Sequence, residues 1–199
     1  MNFIIGIDEA GRGPFAGPVA VGVFVVSKKD VQKVLKNAND SKKLSEKKRE
    51  EIYKEFEQFK KEKKCFWSVG LSSAKYIDKF GITKAVNTAM AKALKKVRDS
   101  AGINNKNSFI YLDGLLKAPL EFKQETVIKG DSLVPVIGAG SIVAKVERDR
   151  LMIKLSKKYP EYGLEKHKGY GTLDHRKTIK KYGVSDIHRK KWCAKTSNQ

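Results

Sequence analysis

An apolar run, two adjacent carboxylates and a glycine-rich turn follow one another in Ile4-Ile5-Gly6-Ile7-Asp8-Glu9-Ala10-Gly11-Arg12-Gly13-Pro14. The first part of this stretch, with residues 2–8 apolar apart from its ends, is typical of a buried β-strand. A valine-rich run follows at 18–26, after a loop of glycine and proline, and predicts a second strand that pairs with the first in antiparallel fashion. The two acidic residues are therefore expected where a strand ends and a turn begins.

The rest of the chain alternates between strand and helix patterns. Periodicity and turn residues predict strands at 65–70, 109–114 and 125–129, and helices at 30–37, 46–60, 82–97 and 134–158. Pro160 ends the last of these helices, and the tail beyond it, interrupted by four glycines, predicts only short helical pieces. This order indicates an α/β fold: a mixed β-sheet flanked by helices, with a small helical C-terminal appendage.

Charge points to a polyanionic partner. The 199 residues include 42 Lys and Arg against 22 Asp and Glu, a formal charge of +20. Residues 145–195 alone hold 16 basic side chains against 6 acidic ones, whereas residues 1–27 hold one arginine and two acids. Nucleic acid is the favoured partner, and its binding would weaken steeply with salt. The alternative is that a lysine-rich surface serves solubility alone.

Cysteine content and the start of the chain bear on where the protein works. Cys65 and Cys193 lie in unrelated contexts, without a metal-binding pattern or a disulfide framework. Because a strand-like run, and no longer apolar stretch, appears near residue 1, we expect neither a signal peptide nor a membrane-spanning segment. We therefore expect a cytoplasmic protein.

Four carboxylates share a position at or just beyond the end of a predicted strand. In open α/β sheets, sites form at such strand ends. Clustered carboxylates raise one another's pKa unless a cation neutralises them, and hard oxygen ligands favour Mg²⁺ or Mn²⁺. Two such ions could activate a water and stabilise the leaving oxygen in phosphodiester hydrolysis. The four candidate catalytic and metal-binding residues are Asp8, Glu9, Asp113 and Asp131.

Each of these acids also has a structural alternative as a cap, a turn residue or a salt-bridge partner. For Asp131, in the turn-like sequence Lys129-Gly130-Asp131-Ser132, that alternative explains the residue about as well as metal binding does. Adjacent acids at a strand end have no evident folding benefit, so the alternative is weaker for Asp8 and Glu9.

The glycine-rich turn at 11–17 resembles a dinucleotide fingerprint, but that fingerprint requires a helix beginning inside the glycine loop. Pro14, Pro18 and the valine-rich run predict a turn and another strand instead. The glycines therefore indicate a backbone whose N–H groups can approach a ligand closely, although a tight hairpin connection would use them too.

Several motifs, spread in order over nearly the whole chain, resemble ribonuclease HII. They are Asp8-Glu9-Ala10-Gly11-Arg12-Gly13-Pro14, Asp40-Ser41-Lys42-Lys43-Leu44-Ser45, Leu112-Asp113-Gly114, Lys129-Gly130-Asp131, the run from Ser141 to Asp149, and His167-Lys168-Gly169-Tyr170-Gly171-Thr172. Each motif alone is weak, but together they are highly specific. The form of the last motif resembles bacterial rather than archaeal members.

This resemblance implies an RNase H-like mixed sheet and a metal-dependent endoribonuclease. Such enzymes cut the RNA strand of RNA–DNA hybrids and nick DNA 5′ to embedded ribonucleotides, leaving 3′-hydroxyl and 5′-phosphate ends. On the same basis we expect a catalytic domain over 1–160, with a C-terminal region over 161–199 that packs on it and completes the substrate groove.

The resemblance also implies individual roles. The four acids map onto the metal ligands, and Gly11, Arg12 and Gly13 map onto a turn that senses the 2′-hydroxyl, the group that distinguishes RNA from DNA. Tyr170 maps onto an aromatic residue that stacks on the neighbouring deoxyribose, although a tyrosine between glycines is often only a loop anchor. The expected contacts with backbone phosphates are Ser41, Lys42, Ser141 and Lys145.

Two other functions remain open at this stage. A non-catalytic nucleic-acid-binding protein would explain the charge but not the four acids. A resolvase-like metal nuclease would use the same carboxylates on branched DNA. No residue pattern predicts an obligate interface, so we expect a monomer, and we expect the three histidines His167, His175 and His188 to be surface or packing residues.

Overall fold

The computed structural model describes residues 2–38 and 44–194. Within them lies a five-stranded sheet of order β3-β2-β1-β4-β5. β1 pairs with β2, and β2 with β3, in antiparallel fashion, whereas β1–β4 and β4–β5 are parallel. The strands are β1 (Phe3–Ala10), β2 (Val19–Ser27), β3 (Cys65–Ser72), β4 (Ser108–Asp113) and β5 (Lys123–Val127).

Helices cover both faces of this sheet, and the longest are α2, α4 and α6. The α-helices of the described part are α1 (Val31–Val34), α2 (Glu46–Lys61), α3 (Ala74–Phe80), α4 (Ile82–Ala101), α5 (Gly130–Leu133), α6 (Pro135–Lys158), α7 (Leu164–His167), α8 (Leu173–Tyr182) and α9 (Lys190–Ala194). In the described residues, none of the helices combines the length and apolar character needed to cross a membrane.

The predicted α/β class and mixed sheet are confirmed, with local corrections. β1 continues to Ala10, so Asp8 and Glu9 lie inside the strand's last residues rather than just after it. The predicted strand at 125–129 is displaced by two residues, because Lys129 has φ 57° and this left-handed conformation ends extended pairing. Helix α3 was not predicted; Ser73 caps it by accepting from the Tyr76 amide.

Burial on both faces explains the valine-rich strands. The residues of β2 are buried from Val19 to Val26. The four odd-numbered valines pack in the cluster that includes α4, and Phe24 and Val26 pack in the cluster that includes α2 and α6. Strands covered on both sides read as continuous apolar runs rather than alternating ones. The stripe at 82–97 that predicted a helix is the buried face of α4.

Helix α6 lies directly on the strands because glycines face it. A Cβ atom added at Gly6 would lie 1.8 Å from the carbonyl oxygen of Val136, and one at Gly22 would lie 2.2 Å from that of Gly140. Only hydrogen fits at these positions, so the backbones of helix and strand make contact. The first half of α6 is thereby set beside the end of β1, where the acidic residues are.

The segment after α6 packs back onto the glycine-rich turn. Tyr162 and Leu164 form a small apolar cluster with Ala16 and Met152. Main-chain hydrogen bonds join the same segments. The Phe15 amide donates to the Gly169 carbonyl at 2.8 Å, and the Arg189 amide donates to the Phe15 carbonyl at 2.7 Å. The C-terminal elements therefore form one side of the region around residues 11–17.

Candidate active site

Three of the predicted acids line one cleft at the end of the sheet. Asp8 and Glu9 come from β1 and Asp113 from the end of its parallel neighbour β4. The parallel pairing places the ends of β1 and β4 side by side, which is why Glu9 and Asp113 are close although 104 positions separate them in the sequence. Asp8 is 3% exposed, whereas Glu9 and Asp113 are partly exposed, so the cleft has a buried carboxylate at its base.

Two of the acids, Asp8 and Glu9, have raised pKa values. Burial, followed by the charges of Glu9 and Asp113, raises the pKa of Asp8 to about 8, although a hydrogen bond from Ser141 lowers it. Burial and Asp113 also raise the pKa of Glu9, whereas Arg12 lowers it. Carboxylates held in this way gain from a cation that neutralises them.

Asp131 is placed behind Asp113 rather than along the cleft. It lies in α5 and is 1% exposed, and it is not among the residues that line the cleft. The amides of Gly130 and Asp131 donate to Oδ1 of Asp113, at 2.6 and 3.4 Å. The left-handed Lys129 turns the chain so that these amides face β4. This loop therefore orients the Asp113 carboxylate.

The glycine-rich turn lies directly after the acidic pair. Gly11, Arg12 and Gly13 all line the cleft. Gly11 has φ 84°, and a Cβ atom there would lie 2.0 Å from Nε of Arg148, so a side chain is excluded by conformation and by space. The Arg12 guanidinium lies 3.4 Å from the Glu9 carboxylate. The turn thus presents its backbone, together with one cation, beside the acids.

The same cleft holds Ser141, Lys145 and Tyr170. Lys145 Nζ lies 2.7 Å from the Asp149 carboxylate, and 5.9 Å from the centre of the Tyr170 ring. Tyr170 is 43% exposed, so part of its side chain is accessible from the cleft. The remaining two predicted contacts, Ser41 and Lys42, lie outside the described residues.

Three arginines belong to this region without having been predicted. Arg49, from the first turns of α2, lines the cleft. Arg148 and Arg189 are both fully buried, and they donate hydrogen bonds to main-chain carbonyls at the two ends of the turn, Pro18 and Gly11. Arg148 lies on the mainly apolar buried face of α6, a pattern that sequence alone could have marked. Nothing in the local sequence distinguishes Arg189 from the basic residues around it.

The histidines pack behind Tyr170, as expected. His175 and His188 are buried, with their Nε2 atoms 3.1 Å apart, and the ring of His167 stacks on that of His175 at 4.3 Å. Burial lowers the pKa of His175 and His188 to about 4, so both are neutral near pH 7. Nδ1 of His175 lies 2.9 Å from the Tyr170 carbonyl oxygen and fixes the loop.

The chemistry of the donor set fits a hydrated divalent cation. Among the residues that the structure describes, no three His, Cys, Asp or Glu side chains form a closed metal-binding group. Mg²⁺ does not require one, because it keeps several waters and is usually held by one or two carboxylates plus substrate phosphates. Asp8, Glu9 and Asp113 offer only oxygen ligands in an open cleft. Burial, together with the charges of Glu9 and Asp113, raises the pKa of Asp8, and a bound cation would oppose both effects.

The raised pKa of Asp8 predicts how stability depends on pH. The ordinary value is 3.8 and the folded value about 8, so between these values folding takes up a proton and stability falls as pH rises. In a chelator, Asp8→Asn should therefore raise Tm by several degrees at about pH 8.5 and scarcely at all at about pH 4. Thermal denaturation across this pH range measures the effect. Asp99→Asn, an exposed site on α4, is the control, and parallel curves for wild type and Asp8→Asn would contradict the prediction.

The family model and the relatives that match this sequence share one description, ribonuclease HII. The family model described as Ribonuclease HII matches residues 5–195. The ribonuclease HII of Ruminiclostridium cellulolyticum is 43% identical over 188 residues, which cover 94% of this chain and 69% of that protein. The ribonuclease HII of Clostridioides difficile is 44% identical, with the same coverage of both chains.

Solved structures agree with the family. The ribonuclease H2 of Pyrococcus horikoshii matches with a TM-score of 0.74 and 27% identity, over 98% of this chain and 97% of that one. The RNase HII of Archaeoglobus fulgidus, solved as a complex with PCNA, matches with a TM-score of 0.70 and 28% identity, over 96% and 94% of the two chains. The RNase H-like fold is thereby confirmed. The chain belongs to the ribonuclease HII family, the metal-dependent nucleases that hydrolyse RNA in RNA–DNA hybrids.

Proposed function

We propose that this enzyme also nicks duplex DNA 5′ to embedded ribonucleotides, with Mg²⁺ or Mn²⁺, and leaves 3′-hydroxyl and 5′-phosphate ends. One observation carries the proposal: the acids of β1 and β4, the turn at 11–13 and Tyr170 all line a single cleft. Cutting chemistry and recognition of a sugar can therefore act on neighbouring positions of one strand.

The carboxylates hold the cation in this proposal. Asp8, Glu9 and Asp113 are its ligands, and Asp131 completes the acidic set from behind Asp113. When bound, divalent ions would supply Lewis-acid stabilisation of the phosphate and a more acidic water. The protein fixes the carboxylates beforehand: the Glu9 amide donates to Oδ1 of Asp8 at 2.7 Å, and the Gly130 amide holds Asp113.

Sugar recognition is assigned to the turn and the tyrosine. The backbone at Gly11, Arg12 and Gly13 approaches the 2′-hydroxyl, because no side chain stands between it and the cleft at the two glycines. Tyr170, whose side chain is partly exposed, stacks on the next deoxyribose, which marks the junction from RNA to DNA. Recognition of a sugar rather than a base makes cleavage independent of sequence.

Phosphate contacts come from the basic rim of the cleft. Ser141 and Lys145 lie one helical turn apart on α6, and Arg49 adds a third donor from α2. We keep Ser41 and Lys42 as proposed contacts, since they precede α2 in the chain. Such contacts position the duplex without reading bases, and they make affinity fall with salt.

The assay uses a labelled DNA duplex with one ribonucleotide, an all-DNA duplex and an RNA–DNA hybrid, each with Mg²⁺, Mn²⁺ or a chelator. We expect metal-dependent nicking 5′ to the ribonucleotide and none in the all-DNA duplex. Cleavage of the hybrid without nicking at the single ribonucleotide would overturn the proposal while leaving the family activity intact.

Three further expectations are proposals on the same footing. We propose a monomer, because no residue pattern predicts an obligate interface. We propose a cytoplasmic location, supported by two free, buried cysteine thiols. We also propose that 1–160 is the catalytic domain and 161–199 the region that completes the groove, supported by the position of Tyr170 on the cleft.

A further inference from the structure

Two buried arginines hold the carbonyl groups of the glycine-rich turn. Arg148 of α6 donates to the carbonyls of Pro18 and Ala16, at 2.9 and 3.3 Å. Arg189, which directly precedes α9, donates from Nη2 to the Gly11 carbonyl and from Nη1 to the Arg12 carbonyl, both at 2.6 Å. It also donates to Gly17, at 3.1 Å.

Burying a cation costs desolvation free energy unless hydrogen bonds replace the water it loses. The Arg189 side chain is fully buried, and in the described part of the chain no carboxylate forms an ion pair with it. Burial and the nearby Arg148 lower its pKa to about 9, so it remains charged at neutral pH. Main-chain carbonyl groups therefore replace its hydration, and a planar fork of donors suits adjacent carbonyls better than an ammonium does.

Peptide geometry links these contacts to the cleft. In a trans peptide the carbonyl and the following N–H point in opposite directions, and the described chain has no cis peptide. Holding the Gly11 carbonyl against Arg189 turns the Arg12 N–H away from it, and holding the Arg12 carbonyl does the same for the Gly13 N–H. Neither amide donates to another described residue, and the turn lines the cleft.

We propose that Arg189 is a positioning residue that orients the Arg12 and Gly13 amides as donors for the 2′-hydroxyl. The inference rests on the proposed recognition of ribose by this turn. Arg189 does not touch the substrate; it sets the direction of two backbone donors from the far side of the turn. Discrimination between ribose and deoxyribose therefore depends on a residue that is 177 positions from Arg12 in the sequence.

The first test measures binding rather than cleavage, in an Asp8→Asn background. Fluorescence anisotropy gives Kd for a duplex with one ribonucleotide and for its all-DNA counterpart, and their ratio reports the 2′-hydroxyl contact. One or two hydrogen bonds correspond to a ratio of roughly three to tenfold. Arg189→Met should bring this ratio close to one, mainly by weakening the ribonucleotide duplex, and Arg189→Lys should give an intermediate ratio.

Arg98→Met is the matched control, since it also removes one arginine charge. Arg98 is exposed in the last turn of α4, far along the sheet from the cleft, and its loss should leave the ratio unchanged. Melting curves show that each variant is folded at the assay temperature. If Arg189→Met does not fold, Arg189→Lys carries the test, because it keeps the buried charge.

The outcomes separate the two proposals. If a folded Arg189 variant shows the same ratio of the two Kd values as the Asp8→Asn protein, the positioning role is overturned. If the Asp8→Asn protein binds both duplexes with equal Kd, recognition of ribose by the turn is overturned, and the role of Arg189 with it. In active enzyme, Arg189→Met should lower kcat/KM for the ribonucleotide duplex, whereas a merely structural role would change Tm without changing the binding ratio.

Discussion

Asp8→Asn is expected to abolish cleavage of the ribonucleotide-containing duplex while the fold and duplex binding persist. The substitution keeps the size of the side chain and an oxygen that can accept from the Glu9 amide. It removes the charge at the base of the cleft, where a cation is worth several kcal/mol to the transition state. A loss of that size lowers the rate by roughly 10³-fold or more.

Single-turnover cleavage with Mg²⁺ and with Mn²⁺ measures this effect, and anisotropy measures binding. Asp99→Asn is the control, because Asp99 is an exposed acid on α4 and its loss changes net charge equally. Affinity should stay within about twofold, since phosphate contacts dominate it. Cleavage by Asp8→Asn at the wild-type rate would refute the assignment of Asp8 as a metal ligand.

Gly6→Ala is expected to destabilise the protein more than most core substitutions. The new Cβ atom would lie 1.8 Å from the Val136 carbonyl oxygen and 2.6 Å from the Ile137 amide nitrogen. These are backbone atoms, so no rotamer change relieves the clash and α6 must move away from β1. Overpacking typically costs 1–3 kcal/mol, and we expect about 3 kcal/mol or more here, a fall in Tm of roughly 10 °C.

Thermal denaturation followed by circular dichroism measures the change. Gly13→Ala is the matched control for stability, because no atom lies within 4 Å of its added Cβ and its φ is not positive. Equal Tm values for Gly6→Ala and Gly13→Ala would show that α6 does not rest on β1 as closely as described. Movement of α6 would also separate Ser141 from Asp8, so cleavage should fall before the protein unfolds.

Local sequence was sufficient for all five strands of the described part, for the long helices and for the acids and glycine turn of the cleft, but not for helix α3. The apolar run before Asp8, the stripe of α4 and the glycine-rich turn each contain their own signal within a few residues. The acids were found for the same reason, since a carboxylate at a strand end stands out from its neighbours. The family motifs added the order of the elements and the expected chemistry.

Other features depended on contacts between distant parts of the chain. That Asp131 lies behind Asp113, and that the end of β5 is set by the left-handed Lys129, follow from how the loop folds against β4. Arg49 reaches the cleft only because α2 packs beside α6. Hydrophobic periodicity specifies which face of an element is buried, but not which element covers it.

The sequence by itself determined the strands and the long helices, the acidic pair, the glycine turn and a basic composition suited to nucleic acid. Tertiary structure alone decided which donors face the cleft, and Arg189 is the clearest case. Its side chain meets Gly11 and Arg12 across more than 170 residues, among many similar basic residues of the tail. Local propensities do not describe such contacts. The contacts form only when the sheet, α6 and the C-terminal segment have packed together.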